Sequence, residues 1–463
     1  MDRSVDVVVI GAGITGLTTA FLLLEKGLSV LLIEKSDRIG GQLCTVSDEG
    51  FLFESGPNTG VVSNIEVVEL FRKLSTDCTL EIARKESKVR LIWKKGKFHS
   101  LPGSLGEAVR TPLFTSYDKI RVLFEPFRKK GNDSLESIAS MTRRRLGQSY
   151  LDYAVDPFIS GIYAGDPDNL VTRFAMPKLY QLEENYGSFV RGAIKRHPIL
   201  AQEKKQGISK EVFSVKGGFK NLVTALRNKI TDDQMILSAG KIAVYPSGDG
   251  WTTEIPSTGE QIFSRQVIST VPAYALPLIF SFIDFEWMEP IASLRYAPVV
   301  QIGVGLKDAS LVPQAFGGLI PSKEKEQLLG ILFNSSCYAD RAPEGGASLS
   351  FFAGGIKCAE LLQLTDAELK ELVVDALHRM LGYPAGTLPD KMHIFRHEWA
   401  IPQYGADSEL RLKCITYLQK IYPGLILAGS IRDGIGLADR IKQATLIAQE
   451  VGDFMTKEGN ETK

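Results

Sequence analysis

Apolar and polar positions along this chain follow two rhythms. Residues 5–10 form an apolar run centred on Val7-Val8-Val9-Ile10, as expected of a strand buried on both faces. An apolar helical stripe follows up to residue 26, and then a short second strand over 29–33. Residues 50–54 alternate as a strand, and 64–74 read as a helix with Ile65, Val68 and Phe71 on one side. Residues 88–99 read as strand, Lys95-Gly96 turn and strand, and 104–196 are helical in composition. The pattern then returns to a strand at 211–215, a helix at 220–230, and strands at 235–237, 241–245, 251–255 and 266–269. Strands at 299–306 and 349–353 imply a separate sheet, and 392–399 reads as another strand. Residues 365–381 form an amphipathic helix opened by Thr365. The chain closes with a strand at 425–428, a helix at 438–455 and a tail, 457–463, that reads as frayed.

The chemistry begins at the first turn, Gly11-Ala12-Gly13-Ile14-Thr15-Gly16. Gly11 permits a tight turn, Gly13 lets a pyrophosphate approach the backbone, and Gly16 lets helix pack closely on strand. The free N–H groups and dipole of the helix start then face phosphate. Glu34 stands about 20 residues on, at the end of the second strand, where a carboxylate accepts ribose hydroxyls. The plain alternative is a glycine-rich turn before an ordinary core helix. Lys35 follows, then Arg38-Ile39-Gly40-Gly41, which lets the backbone fold back over the pyrophosphate. A bare NAD-binding unit does not need this feature. Ser55-Gly56-Pro57-Asn58-Thr59 reads as a fixed loop. Near the other terminus, Gly434-Ile435-Gly436-Leu437 opens the last helix. A second positive helix end suits a second negative charge, such as that of a reduced flavin ring. Two such turns at opposite ends of the chain suit FAD, with its adenylate at one end and its flavin at the other.

Composition narrows the classes. The 463 residues exceed one compact core, so two or three domains are expected. Lys plus Arg equals Asp plus Glu, 54 each, which gives no net field toward nucleic acid. The longest apolar candidate, 274–285, is cut by Pro277 and carries Asp284, and it falls short of the roughly 18 residues of a spanning helix. A cytoplasmic protein is expected. Its five cysteines, Cys44, Cys78, Cys337, Cys358 and Cys414, fit neither a zinc nor a disulfide framework. His393 and His397 are four apart on a strand, where that spacing carries no ligand meaning, so no metal site is expected. The basic clusters Arg128-Lys129-Lys130 and Arg143-Arg144-Arg145 are either a solvated helix face or a surface resting on membrane phosphates beside Phe124 and Phe127.

The opening fingerprint with its Arg-x-Gly-Gly partner resembles the FAD-binding amine-oxidase-like superfamily. Within it, Pro157-Phe-Ile-Ser-Gly161-Ile-Tyr-Ala-Gly165-Asp166, Pro177-Lys-Leu, Gly187-Ser188-Phe-Val-Arg191-Gly192, Phe213-Ser-Val-Lys-Gly-Gly218 and Trp399-Ala-Ile-Pro402-Gln403-Tyr404 resemble the protoporphyrinogen/coproporphyrinogen oxidase family. The resemblance covers nearly the whole chain. It implies an α/β fold in which a Rossmann-like, p-hydroxybenzoate-hydroxylase-like FAD domain (1–75, 207–275, 420–463) joins an α+β substrate domain (76–100, 276–419) and an inserted helical domain (101–206). Carried over by position, FAD contacts come from Gly11, Ala12, Gly13, Ile14, Thr15, Gly16, Glu34, Lys35, Arg38, Gly41, Gln42, Gly56, Pro57, Asn58, Thr59, Ile242, Trp399, Ile435, Gly436 and Leu437. No catalytic side chain is assigned. Some relatives have an arginine near position 106 where this chain has none, and Arg110 and Arg191 become the candidates for substrate carboxylates.

The implied reaction is oxidation of a porphyrinogen to a porphyrin in haem biosynthesis, with molecular oxygen as acceptor and hydrogen peroxide released. Protoporphyrinogen is favoured over coproporphyrinogen by the neutral balance of charge. The resemblance also implies peripheral contact with the inner face of the cell membrane and handover of product to a ferrochelatase. Orientation over a flavin of suitable potential is the main demand, because the product gains aromaticity. An amine oxidase or carotenoid desaturase is the rival enzyme, with Tyr404 as a candidate ring facing the flavin. A non-catalytic flavin-bearing protein is the rival of another class.

Overall fold

The computed structural model describes residues 3–461. The valine run forms the central strand β1 (Arg3–Ile10). Val7 and Val9 enter one hydrophobic core while Val8 and Ile10 enter another. Successive strand side chains point to opposite faces, so a strand covered on both sides must be apolar throughout. Parallel to β1 lie β2 (Val30–Ile33) on one flank and Glu260–Ser269 on the other, with Val7 opposite both Val30 and Gln266. Leu425–Leu427 pairs in parallel with Glu260–Ser269, and Met235–Ile236 with β2. An antiparallel pair, Ala243–Ser247 and Gly250–Ile255, completes this seven-stranded sheet. Its strands thus come from three widely separated stretches of chain. Helix α1 (Ile14–Glu25) and the last helix (Leu437–Glu461) pack together in the core on one face, where Leu17, Ala20 and Phe21 join Ile441, Ala448 and Val451.

A second seven-stranded sheet runs in the order Lys391–Pro402, Tyr296–Leu306, Ala347–Gly354, Leu328–Leu332, Gly317–Leu319, Arg90–Lys94, Lys97–Ser100. Helix Asp366–Leu381 covers it through Leu369, Val373 and Leu377. The Glu368 N–H donates to the Thr365 hydroxyl at 3.3 Å, and the Glu368 carboxylate accepts from the Thr365 N–H at 2.7 Å. That reciprocal box satisfies two otherwise orphaned donors. Between residues 105 and 205 the described residues contain helices and no strand. No described helix is long and apolar enough to cross a membrane.

Several expectations need correction. Helix Ile65–Lys73, capped by Asn64, buries Val67, Leu70 and Phe71 and leaves Ile65 and Val68 half-buried, because the face carrying Val67, Leu70 and Phe71 packs into the core shared with α1 and the last helix. The strand expected at 241–245 lies at Ala243–Ser247, and the one expected at 266 already starts at Glu260. The tail is helical through Glu461; Thr462 and Lys463 lie outside the described residues.

The cluster Arg143-Arg144-Arg145 is not a solvated or lipid-facing row. Arg143 is exposed and pairs with Asp168 at 2.9 Å, but Arg145 is 0 % exposed. Its guanidinium donates to Glu125 at 3.0 Å and pairs with Glu183, which Arg144 also grips at 2.8 Å. Glu125, fully buried, also accepts from the Phe189 N–H at 3.0 Å and from the Ser188 hydroxyl, so it caps helix Phe189–Lys205. Burying charge this deeply requires that every charge be paired and hydrogen-bonded.

Candidate cofactor site

Four parallel strands end at one edge of the first sheet, and each ends in a turn. Gly11 follows β1, Glu34 follows β2, Thr270 follows Ser269, and Gly429 follows the last strand by two residues. Ligands bind open α/β sheets at such carboxyl ends.

Close packing fixes the first turn. Gly11 has φ +97°, and a Cβ there would stand 2.8 Å from the Thr270 hydroxyl. A Cβ on Gly16 would stand 1.9 Å from the Gly11 carbonyl oxygen. A Cβ on Gly13, by contrast, would meet nothing within 4 Å. The protein's own packing does not demand glycine at 13, so the space beside it is left for something else. The Arg38–Gly41 loop folds over this turn as expected. The Gly40 N–H donates to the Ala12 carbonyl at 2.8 Å, and Gly13 and Gly40 bridge in parallel. Arg38 braces the loop through the Gly41 carbonyl at 2.8 Å. Glu34 accepts from the Ala12 N–H at 2.8 Å and from the Ser36 hydroxyl at 2.8 Å, which aims its carboxylate along the turn.

The two glycine turns meet through a residue that carries no motif. The Thr270 hydroxyl donates between the Ile10 and Gly11 carbonyls at 3.0 and 3.1 Å. A Cβ on Gly429 would stand 2.6 Å from the Thr270 carbonyl oxygen. The last turn is then clamped from its own helix. The Arg440 guanidinium donates to the Gly429 and Arg432 carbonyls, and Gln443 accepts from the Gly429 N–H at 2.8 Å. Tyr404 is 3 % exposed and donates its hydroxyl to the Ser430 and Gly434 carbonyls at 2.7 and 3.0 Å. Tyr404 therefore buttresses this turn and is not an exposed ring facing the flavin, as the rival enzyme reading would have it.

The sequence from residue 14 to 450 matches the family model described as flavin containing amine oxidoreductase. The chain belongs to that family. Among curated relatives, the mitochondrial protoporphyrinogen oxidase of Nicotiana tabacum is 28 % identical over 99 % of this chain and 96 % of its own length. The coproporphyrinogen III oxidase of Bacillus subtilis (strain 168) is 25 % identical over 96 % of this chain and 97 % of its own. Among solved structures, a protein from Exiguobacterium sp. 255-15 superposes with a TM-score of 0.80 at 20 % identity over 98 % of this chain and 99 % of its own. Reduced UDP-galactopyranose mutase superposes at 0.74 with 18 % identity over 98 % of this chain and 96 % of its own.

A member of the flavin-containing amine oxidoreductases is an oxidoreductase that carries FAD. The residues present fit that cofactor, because the space at Gly13 lies beside the start of α1 and under the arginine-glycine loop. Ala12, Ile14 and Thr15 belong to the same turn, and Lys35, Gly41 and Gln42 are exposed along its rim. Gln42 donates to the Ala400 carbonyl at 2.9 Å, next to Trp399. In the loop 56–59, Asn58 is buried, Gly56 and Thr59 are half-buried and Pro57 is exposed. The Asn58 side chain donates to the Gly56 carbonyl at 3.0 Å and accepts from the Ser350 hydroxyl at 2.9 Å, which ties the loop to the second sheet. Ile242 follows the segment whose Ala239 N–H donates to the Glu34 carbonyl at 3.0 Å. Ile435 and Gly436 precede the last helix, whose first residue is Leu437. There the Asp439 carboxylate already accepts from the Gly436 N–H at 3.2 Å, so the helix start is partly answered from within. Arg110 is exposed at the end of Leu105–Arg110, and Arg191 is exposed with its guanidinium 6.0 Å from the Phe127 ring. Thr270, Arg440 and Gln443 went unassigned in the sequence, because Thr270 acts on backbone about 260 residues away and Arg440 and Gln443 reach back 8 to 14 residues across a turn that no helix or strand spacing describes.

Proposed function

We propose that this protein oxidises a porphyrinogen to its porphyrin, as a step of haem biosynthesis, with molecular oxygen as acceptor. The observation that carries the reading is full-length likeness to relatives named for two porphyrinogens, and it is supported by the open space that the first glycine turn leaves at Gly13. FAD, when bound, supplies a two-electron acceptor. What remains for the chain is to bind and orient a flat, apolar macrocycle and to keep water from it. Trp399 suits that task, being 48 % exposed beside Tyr274 at 5.0 Å and Tyr296 at 6.1 Å between ring centroids. Gaining aromaticity drives the chemistry, so no strong general base is required.

Protoporphyrinogen is the favoured substrate, since relatives of that name reach 28 % and 29 % identity. Coproporphyrinogen III is the second reading, supported by the Bacillus subtilis relative at 25 %. Purified flavoprotein supplied with each porphyrinogen in air should develop porphyrin fluorescence and hydrogen peroxide. Anaerobically, the same substrates should bleach the flavin absorbance. Oxidation of neither compound, with turnover of amines instead, would replace this reading with the amine oxidase one.

The exposed side chains Tyr117, Leu123, Phe124 and Phe127 stand near Arg128-Lys129-Lys130 and support peripheral contact with anionic lipid. The protein should then sediment with phosphatidylglycerol vesicles at low salt and separate from them at high salt.

A further inference from the structure

Between the two glycine turns runs a single segment, residues 55–60. One end abuts the N-terminal turn. A Cβ on Gly56 would stand 2.1 Å from the Gln42 carbonyl oxygen, and a Cβ on the neighbouring Gly41 would stand 3.1 Å from the Gly13 Cα. At the other end, a Cβ on Gly60 would stand 3.3 Å from the side chain of Leu437, the first residue of the last helix. The segment thus spans from the first turn to the start of the last helix.

Side chains of the second sheet hold this segment. Gln301, on strand Tyr296–Leu306, donates to the Glu54 carbonyl at 2.6 Å. Ser350, on strand Ala347–Gly354, donates to Asn58 Oδ1 at 2.9 Å and accepts from the Asn334 amide at 2.9 Å. His397, half-buried on the edge strand Lys391–Pro402, meets the Ser55 carbonyl through Nε2 at 2.5 Å. A carbonyl only accepts, so Nε2 carries the proton. Just past His397 the edge strand leaves its ladder. Val299 pairs with His397 and Ala297 with Ile401, so Glu398, Trp399 and Ala400 stand opposite Pro298 alone. Pro298 has no N–H to give them, and its carbonyl accepts from the Gly355 N–H at 2.8 Å. The bulge presents the Ala400 carbonyl to the Gln42 amide at 2.9 Å and leaves Trp399 exposed. One short stretch, 397–400, therefore grips both the loop over Gly13 and the segment 55–60.

We propose that His397 is a positioning residue for FAD. Its hydrogen bond fixes the Ser55 carbonyl, and with it the place of residues 56–60 as a wall for the nucleotide. A loose wall would have to be ordered as the cofactor binds, at a cost in affinity, and a wall held beforehand avoids that cost. The same stretch then sets Trp399 at a fixed place relative to the wall. The assignment rests on FAD as the cofactor and not on the identity of the substrate.

The test measures FAD retention of the full-length holoprotein by ultrafiltration at graded dilution, together with amide exchange. His397→Leu should raise the FAD dissociation constant about threefold to tenfold, the worth of one hydrogen bond. It should also speed exchange over residues 55–60 while strand Tyr296–Leu306 exchanges as before. His397→Gln, whose side-chain amide can donate to the same carbonyl, should restore both. Ser350→Ala loosens the same segment at Asn58 and should move both readouts in the same direction, so it carries the test if His397→Leu does not fold. Unchanged FAD binding and unchanged exchange in these variants would overturn the assignment, as would a loss that His397→Gln fails to repair. The readout is FAD binding, so its outcome stands apart from whether either porphyrinogen is oxidised.

Discussion

At Gly13 and Gly16 the same residue type answers to different constraints. Gly16 is required by the fold, because a Cβ there would overlap the Gly11 carbonyl. Gly13 faces open space, so the fold does not require it, and on the proposed reading a ligand does. Gly13→Ala should therefore melt like the wild type without cofactor yet be purified with little FAD. Gly16→Ala should lose about 3 kcal/mol or more, or fail to fold. Differential scanning calorimetry and flavin absorbance separate the two outcomes. Glu54 offers a pH signature. Burial pushes its carboxyl up to about 7, against the opposing pull of the Phe219 N–H, the Thr45 hydroxyl and Arg341. Between its ordinary 4.5 and about 7 it holds a proton in the fold that the unfolded chain releases. Its contribution to stability is thus present at low pH and lost as pH rises through that window. Glu54→Gln removes this slope, so thermal melts should show the variant gaining on the wild type from about pH 5 to about pH 8. No gain would contradict the assignment.

At the scale of elements, the helical segment is held by ion pairs inside it. Burial alone would raise the Glu183 carboxyl, but Arg144 and Arg145 outweigh it and bring it down to about 2. Its contribution is therefore present above 4.5 and lost as pH falls toward 2. Glu183→Gln leaves Arg145 buried with Glu125 as its remaining anion, and should cost about 3–5 kcal/mol in denaturant titrations. Amide exchange should rise in Pro177–Tyr186 and Phe189–Lys205 before it rises in the first sheet. The three arginines in a row looked like a charged face because sequence shows charge but not its partners. Glu125 and Glu183 lie 20 and 38 residues from Arg145, beyond any local spacing rule.

Across the whole molecule, the candidate cofactor site draws on both ends of the chain. Loading FAD should slow amide exchange at Gly11 to Gly16 and at Gly429 to Gly436 together, and should raise the melting temperature with free FAD concentration. Protection confined to the N-terminal turn would mean that the last helix start takes no part. Thr270 is the joint between the two ends. Thr270→Val removes the hydroxyl donated to the Ile10 and Gly11 carbonyls and should cost about 1 kcal/mol. It should also weaken FAD retention, which can be read by ultrafiltration of the yellow protein.

By itself the sequence determined what depends on neighbours along the chain. The buried strands came from runs of apolar residues, the nucleotide turn from glycine spacing, and the start of the capped helix from Thr365, because each is governed by backbone sterics and hydrogen bonds within a few residues. The shorter strands Gly317–Leu319 and Leu328–Leu332 left no such trace, since their pairing is set by the sheet they join. Only the tertiary structure decided which charges are internal and how Thr270 joins two turns separated by most of the chain. Those are properties of long-range contact. A sequence lists the groups that can pair, and only the closed fold brings a particular donor within reach of a particular acceptor.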